Sequence, residues 1–267
     1  MRGRVLIVAG SDSGGGAGIQ ADIKTVTALG GFATTAITAL TAQDTKAVHG
    51  VMPVPPGFIA HQMQVVLRDI GADAIKTGML HDAATIDAVA DVLESEPAAR
   101  GVPLVVDPVM FAKGGHALLQ PEAVATLKRR LLVLARVLTP NIPEAEALSG
   151  MRIRTIDEMR HAARTMVTLG CQAVLLKGGH MPGDVLVDVL ATETTLRNFE
   201  SPRIASSSTH GTGCTLASAI ATGLAQGLDL EIAVARAREY VRRAIELAPG
   251  YGSGHGPLNH AHTVRQG

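Results

Sequence analysis

The sequence predicts an α/β protein with a mostly parallel central sheet, helices on both faces and a small hairpin at the sheet edge. Three observations carry that expectation. Short apolar runs alternate with segments of helical period along most of the chain. The first of them, "RVLIVAG" at Arg4–Gly10, is a compact β-branched run that suits a buried strand. Only "GDVLVDVLATETTLRNFESPRI" pairs two short alternating runs across a polar turn, as an edge hairpin does.

The elements follow in order. After the first strand, "GAGIQADIKTVTALGG" sets Ile19, Ile23, Val26 and Gly30 at helical spacing, with glycines closing the end. "FATTAITALTAQ" reads as a strand, and "PPGFIAHQMQVVLRDIG" places Ile59, Met63, Val66, Leu67 and Ile70 on one helical face. "DAIKTGML" is a strand, followed by a helix with Asp82 as N-cap and Ile86, Val89 and Leu93 aligned. "VPLVVDPV" is a strand, then a helix follows Pro121. "ARVLTPN" is a strand leading into "PEAEALSG" and then into a helix that Thr155 and Glu158 open as a capping box. "QAVLLKGG" precedes the hairpin, and two helices finish the core, one after Gly213 and one from Asp229. The Gly- and His-rich tail from about residue 250 is expected to be loose, His255, His260 and His262 being solvated rather than metal-bound. With no repeat and no long linker, residues 1–267 read as one domain.

Composition removes several classes of function. Lys plus Arg and Asp plus Glu both number 24, and aromatic residues are 2% with no Trp, so neither a polyanion-binding charge surplus nor a stacking platform for nucleic acid is present. Cys171 and Cys214 form no Cys-x-x-Cys pair, which points to a reduced chain without a zinc site or disulfide framework. The apolar run Val5–Ala9 is too short for a signal peptide and no segment approaches membrane-spanning length, so the expected location is the cytoplasm.

In an open parallel sheet, ligands bind beyond the carboxyl ends of the strands. The loops there hold Ser11–Gly18, Gln43, Met79, Asp107, Asn141–Glu144, Lys177–His180 and Thr209–Cys214. Within "STHGTGCTLASAIATGLAQG", Thr209 and His210, expected on the nucleotide side, lead into a Gly211-Thr212-Gly213 turn that enters a helix. Such a turn leaves N–H groups without intrahelical partners and aims them at one point, an anion hole suited to a phosphoryl group in transit. Glycines that merely turn the chain are the plain alternative. Lys177 in "LLKGGH" can meet ATP phosphates as a point charge; Asp107 and Glu144 offer carboxylates for Mg²⁺, and Asn141 a carboxamide. Singly, each has a structural explanation: a turn cap before Pro108, a solvated helix start, a surface lysine. Their convergence on one sheet edge favours a kinase. "AGSDSGGGAGIQ" lacks the Gly-Lys-Ser/Thr ending of a P-loop and the spacing of a dinucleotide fingerprint.

Together, "AGSDSGGGAGIQADIKT", "TALTAQDT", "AIKTGML", "VVDPVM", "LTPNIPEAE", "LLKGGH" and "THGTGCTLASAIA" resemble, over nearly the full length, the ribokinase-like superfamily and within it the hydroxymethylpyrimidine/phosphomethylpyrimidine kinases of thiamine biosynthesis. The resemblance implies ATP and Mg²⁺, a homodimer, and phosphorylation of a pyrimidine's hydroxymethyl group and then of the monophosphate. By the same resemblance Gln43 reads the pyrimidine, its amide matching an amine and the neighbouring ring nitrogen. Asp22 lies near the hydroxymethyl end, Met79 against the ring, and Gly10 and Ala17 approach through backbone. Met79 as simple core packing is the alternative. Sugar kinases of the superfamily carry an aspartate base where this chain has Cys214, and a helix N-terminus lowers a thiol's pKa, so Cys214 is expected to orient or deprotonate the acceptor hydroxyl. Ser208 departs from the Asn of many relatives, which bears on nucleotide contact there.

Three rivals follow. A pyridoxal kinase shares the fold. A cysteine hydrolase with Cys214 as nucleophile and His210 as base leaves Lys177, Asp107 and Glu144 unused. A non-catalytic nucleotide-binding module predicts binding without product.

Overall fold

The computed structural model describes residues 1–111, 115 and 117–264. Among the described residues, nine strands form one sheet: β1 (Arg4–Asp12), β2 (Phe32–Gln43), β3 (Val48–Pro53), β4 (Ala74–Thr77), β5 (Leu104–Val106), β6 (Val137–Leu138), β7 (Ala173–Leu176), β8 (Val185–Thr192) and β9 (Leu196–Pro202). Their order is β3-β2-β1-β4-β5-β6-β7-β8-β9. The pairs from β2 through β7 are parallel, while β3 and the β8–β9 hairpin add antiparallel edges.

Eight α-helices of the described residues cover the faces: α1 (Gly18–Ala28), α2 (Pro56–Asp69), α3 (Ala83–Ser95), α4 (Ala123–Arg130), α5 (Ile142–Ser149), α6 (Ile156–Thr168), α7 (Thr212–Ala225) and α8 (Leu230–Glu246). Alternation along each strand sorts the core. Leu6 and Val8 of β1 join a cluster with α2 to α6, whereas Val5, Ile7 and Ala9 join one with α1, α7 and α8. Both faces of the central strands are therefore dry, which is why these strands read as continuous apolar runs. Among the described residues no helix is long and apolar enough to cross a membrane.

Helix starts follow local chemistry. Asp82 caps α3 by accepting the Thr85 N–H at 2.8 Å. Thr155 and Glu158 form the expected capping box, and Asn141 and Glu144 form a second at α5. The edge hairpin lies where expected.

Three expectations are corrected. β1 runs past a register shift between Ala9 and Ser11 to Asp12, so the glycine loop starts later than its sequence suggests. β3, a strand without clear alternation, was absent from the sequence expectation; pairing with β2 rather than its own pattern makes it a strand. The tail is docked. Thr45 receives the Gly254 N–H on its hydroxyl (3.1 Å) and the His255 N–H on its carbonyl (2.7 Å), and the Thr263 hydroxyl donates to Ala28 O (3.1 Å). His260 is buried and His262 packs 4.7 Å from the Tyr240 ring, so backbone bonds and ring contacts hold a segment whose composition suggested disorder.

Candidate active site

The strand ends of the parallel sheet open into one cavity of about 700 Å³, a volume typical of small-molecule sites. Of the residues singled out from sequence, Gly10, Ala17, Gln43, Met79, Asp107, Asn141, Glu144, Lys177, Thr209, His210, Gly211, Gly213 and Cys214 all border it. Asp22 does not; its side chain is wholly buried beneath, paired with Lys76.

The phosphate turn is built by backbone. Gly211 takes φ 78°, a left-handed conformation that glycine adopts without penalty, and caps α7. A Cβ there would collide with Gly16 O, so the turn packs directly on the glycine loop. Thr215 N–H is the first to close on a helical carbonyl, that of Gly211 at 2.9 Å. The amides of Thr212, Gly213 and Cys214 thus have no intrahelical acceptor at the positive end of α7. A Cβ on Gly213 would stand 3.2 Å from Lys177 Nζ, which shows how close the ammonium comes to that turn.

Lys177 at the end of β7 donates to Asp107 Oδ1 at 3.0 Å, and Thr139 Oγ1 donates to the same oxygen at 3.0 Å. Burial would drive the proton off Lys177, but Asp107 and Glu144 outweigh it and raise the ammonium's pKa. Glu144 is not the solvated helix residue its position suggested. It is buried, receives the Asn141 N–H at 2.8 Å and the Met110 N–H at 3.3 Å, and burial raises its carboxyl against the pull of Lys177.

On the opposite wall Asp12 organises the glycine loop. Its carboxylate accepts the N–H groups of Gly14 (2.8 Å), Gly16 (3.0 Å) and Ala17 (2.8 Å) and pairs with His210 Nε2 at 2.9 Å. His210, expected on the nucleotide side, has its ring here, 3.3 Å from Gln43 Nε2. Thr41 Oγ1 lies 3.2 Å from Gln43 Oε1, so both ends of that amide already have neighbours at the cavity wall. Met79 is 7% exposed and its sulfur would stand 3.1 Å from a Cβ on Gly10, so it fills space against the bare strand end.

The expectation of a lowered Cys214 pKa is corrected. Burial pushes the thiol up to about 12, and Lys76, the main opposing influence, does not compensate. A desolvated thiol stays protonated despite its helix terminus. Reading the sequence placed Asp12 within the candidate loop Ser11–Gly18 without a role of its own, and missed Ser218 and Lys76. A lysine inside the apolar run "DAIKTGML" was the available signal for the second.

Beyond Lys177 the cavity is lined by Gly179, Leu186, Ile204, Val241 and Ile245, with Arg203, Arg238 and Arg242 among them, an end whose apolar side chains suit a flat ring system. Among the described residues no cluster of three or more His, Cys, Asp or Glu side chains could hold a metal alone. The Asp107 and Glu144 oxygens do suit an ion like Mg²⁺, which takes one or two carboxylates and completes its shell with phosphate and water.

Residues 12–259 match the phosphomethylpyrimidine kinase family model. A thiamine biosynthesis bifunctional protein of Geobacter sulfurreducens is 56% identical over 97% of this chain, which spans 52% of that protein's length. A hydroxymethylpyrimidine/phosphomethylpyrimidine kinase of Bacillus subtilis is 46% identical over 96% of this chain and 94% of its own. Among solved structures, an ADP complex of Bacillus subtilis pyridoxal kinase superposes with a TM-score of 0.89 at 36% identity, covering 98% of each chain.

Proposed function

This chain belongs to the phosphomethylpyrimidine kinase family, and we propose that it transfers the γ-phosphoryl group of ATP first to the hydroxymethyl group of 4-amino-5-hydroxymethyl-2-methylpyrimidine and then to the resulting monophosphate. Residues 1–267 act as one kinase domain, in the cytoplasm and as a homodimer. The observation that carries the reading is the shared cavity: unpartnered amides at the start of α7 and the Lys177 ammonium stand at one side, Gln43, Met79 and the bare Gly10 strand end at the other.

The pyrimidine lies between Met79 and the glycine loop, and the Gln43 amide turns its free lone pair and N–H to the ring's amine and nitrogen. ATP places its base in the apolar end beside Val241 and Ile245 and its phosphates toward Lys177, Asn141, Thr209 and the Gly211 turn. Asp107 and Glu144 would hold Mg²⁺ beside those phosphates, where the ion supplies positive charge to the phosphate oxygens.

In the first transfer the hydroxyl oxygen bonds to the γ-phosphorus while the bond to the β–γ bridging oxygen breaks, its electron pair leaving on ADP. The amides of Thr212, Gly213 and Cys214 and the Lys177 ammonium neutralise charge on the equatorial oxygens. Cys214 stays a thiol and orients the acceptor; in a loose transition state the hydroxyl proton departs late and passes to an oxygen of the transferred group.

Pyridoxal is the second reading, favoured by the structural likeness to a pyridoxal kinase. Steady-state phosphorylation of the two compounds separates them. A kcat/KM at least about tenfold higher for the pyrimidine, worth about 1.4 kcal/mol, is expected; a preference for pyridoxal overturns the assignment.

A further inference from the structure

Lys76 stands on β4 at the centre of the sheet, one strand from the glycine loop. Its side chain is wholly buried, with Nζ 2.8 Å from Oδ2 of the equally buried Asp22, whose other oxygen accepts the Ser218 hydroxyl at 2.7 Å. An ion pair at this depth is a poor source of stability, because desolvating both charges consumes most of their attraction. An ammonium has three hydrogens, and among the described residues Asp22 is the one hydrogen-bond acceptor Lys76 uses. Lys76 is among the residues that line the cavity, as is Cys214, and Gly78 leaves the buried ammonium room, since a Cβ there would lie 3.0 Å from Nζ.

The two transfers differ in charge. The first acceptor is a neutral alcohol; the second is a phosphate monoester carrying between one and two negative charges near neutral pH. It must approach a γ-phosphate that is itself anionic. Lys177 just past β7, Asp107 just past β5 and Glu144 on α5 lie toward the donor, whereas Lys76 lies on the acceptor side with Gly10 and Met79.

We propose that Lys76 binds the phosphate of the phosphorylated acceptor and so allows one cavity to perform the second transfer, an inference that rests on the sequential reading above. In that step an oxygen of the acceptor's phosphate bonds to the γ-phosphorus, the bond to the β–γ bridging oxygen breaks, and its electron pair leaves on ADP. Lys76 keeps its proton throughout, and Asp22 and Ser218 hold its ammonium in place.

The test compares the parent with K76M and with D22N/K76M, the double variant removing both buried charges so that no unpaired ion is left in the core. Calorimetric titration of the nucleotide-free proteins with the pyrimidine alcohol and with its monophosphate is read alongside single-turnover rates of each transfer. In both variants, affinity for the monophosphate and the rate of the second transfer should fall at least about tenfold more than the corresponding values for the alcohol, the loss expected for a charge-assisted phosphate contact. Equal losses for both acceptors, with a parent that performs both transfers, overturn the Lys76 assignment alone. A parent that phosphorylates neither pyrimidine removes the proposed function and this inference with it.

Discussion

His210 and Asp12, 198 residues apart in the chain, meet in a buried pair with Nε2 2.9 Å from Oδ2. The same carboxylate holds three amides of the glycine loop, so one side chain fastens that loop to the turn that opens α7. Replacing Asp12 by Ala leaves the imidazole and three N–H groups without their acceptor. Urea denaturation should show a loss of about 3 kcal/mol, and kcat/KM should fall because the loop no longer meets the turn. A variant with parental stability would contradict this role.

Gly211 and Gly213 separate folding from catalysis. At Gly211 a side chain meets both a left-handed φ of 78° and the Gly16 carbonyl, so Gly211→Ala should lower the melting temperature sharply. At Gly213 the nearest obstacle is the flexible end of Lys177, at 3.2 Å. Gly213→Ala should fold as the parent does while kcat drops, with melting curves and steady-state kinetics run in parallel.

Lys177 faces Asp107 and the Gly213 turn. Removing a preorganised charge from a transition state costs about 10²–10³ in rate. Lys177→Met is expected to lose kcat on that scale, and Lys177→Arg should not restore it, since a planar guanidinium cannot occupy a point-charge site. Rescue by arginine would indicate that bulk charge alone matters.

Cys214 offers a pH test. With the thiol pushed up to about 12, it is protonated across the neutral range, and iodoacetamide should modify it slowly at pH 7. Cys214→Ser should keep the shape of the parent's pH–rate profile between pH 6 and 9, and Cys214→Ala should lower the single-turnover rate about tenfold through lost orientation. A limb near neutrality that vanishes in both variants would restore a thiolate base.

His260 gives a second titration. Burial, reinforced by Lys24 and His262, lowers its pKa from 6.5 to about 4. The unfolded chain therefore binds the proton more readily, so stability is full above about pH 6.5 and declines as pH falls toward 4, by about 3 kcal/mol at the acid end. Urea midpoints measured from pH 4 to 7 should show this slope in the parent and a flatter one in His260→Gln.

Much of this architecture is legible because strands covered on both faces must be apolar throughout and helices must keep a 3.6-residue stripe. Val5–Ala9 and Ile59, Met63 and Leu67 illustrate each. Candidate residues were legible where a strand ends, since topology alone places Asp107, Lys177 and Gly213 together. Pairings over long separations were not. Nothing local marks Asp12 as the partner of His210, or Asp22 and Ser218 as the support of Lys76. β3 escaped because pairing with the neighbouring β2, and not an alternation of its own, makes it a strand, and the tail because backbone bonds to distant segments hold it, which composition does not encode.

Phosphorus-31 NMR of the parent with the pyrimidine alcohol, ATP and Mg²⁺ follows both transfers in one tube. Successive growth of the pyrimidine monophosphate and then the diphosphate, with ADP released at each stage, is the predicted course. ADP accompanied by inorganic phosphate alone, or no change in the ATP signals, would contradict it.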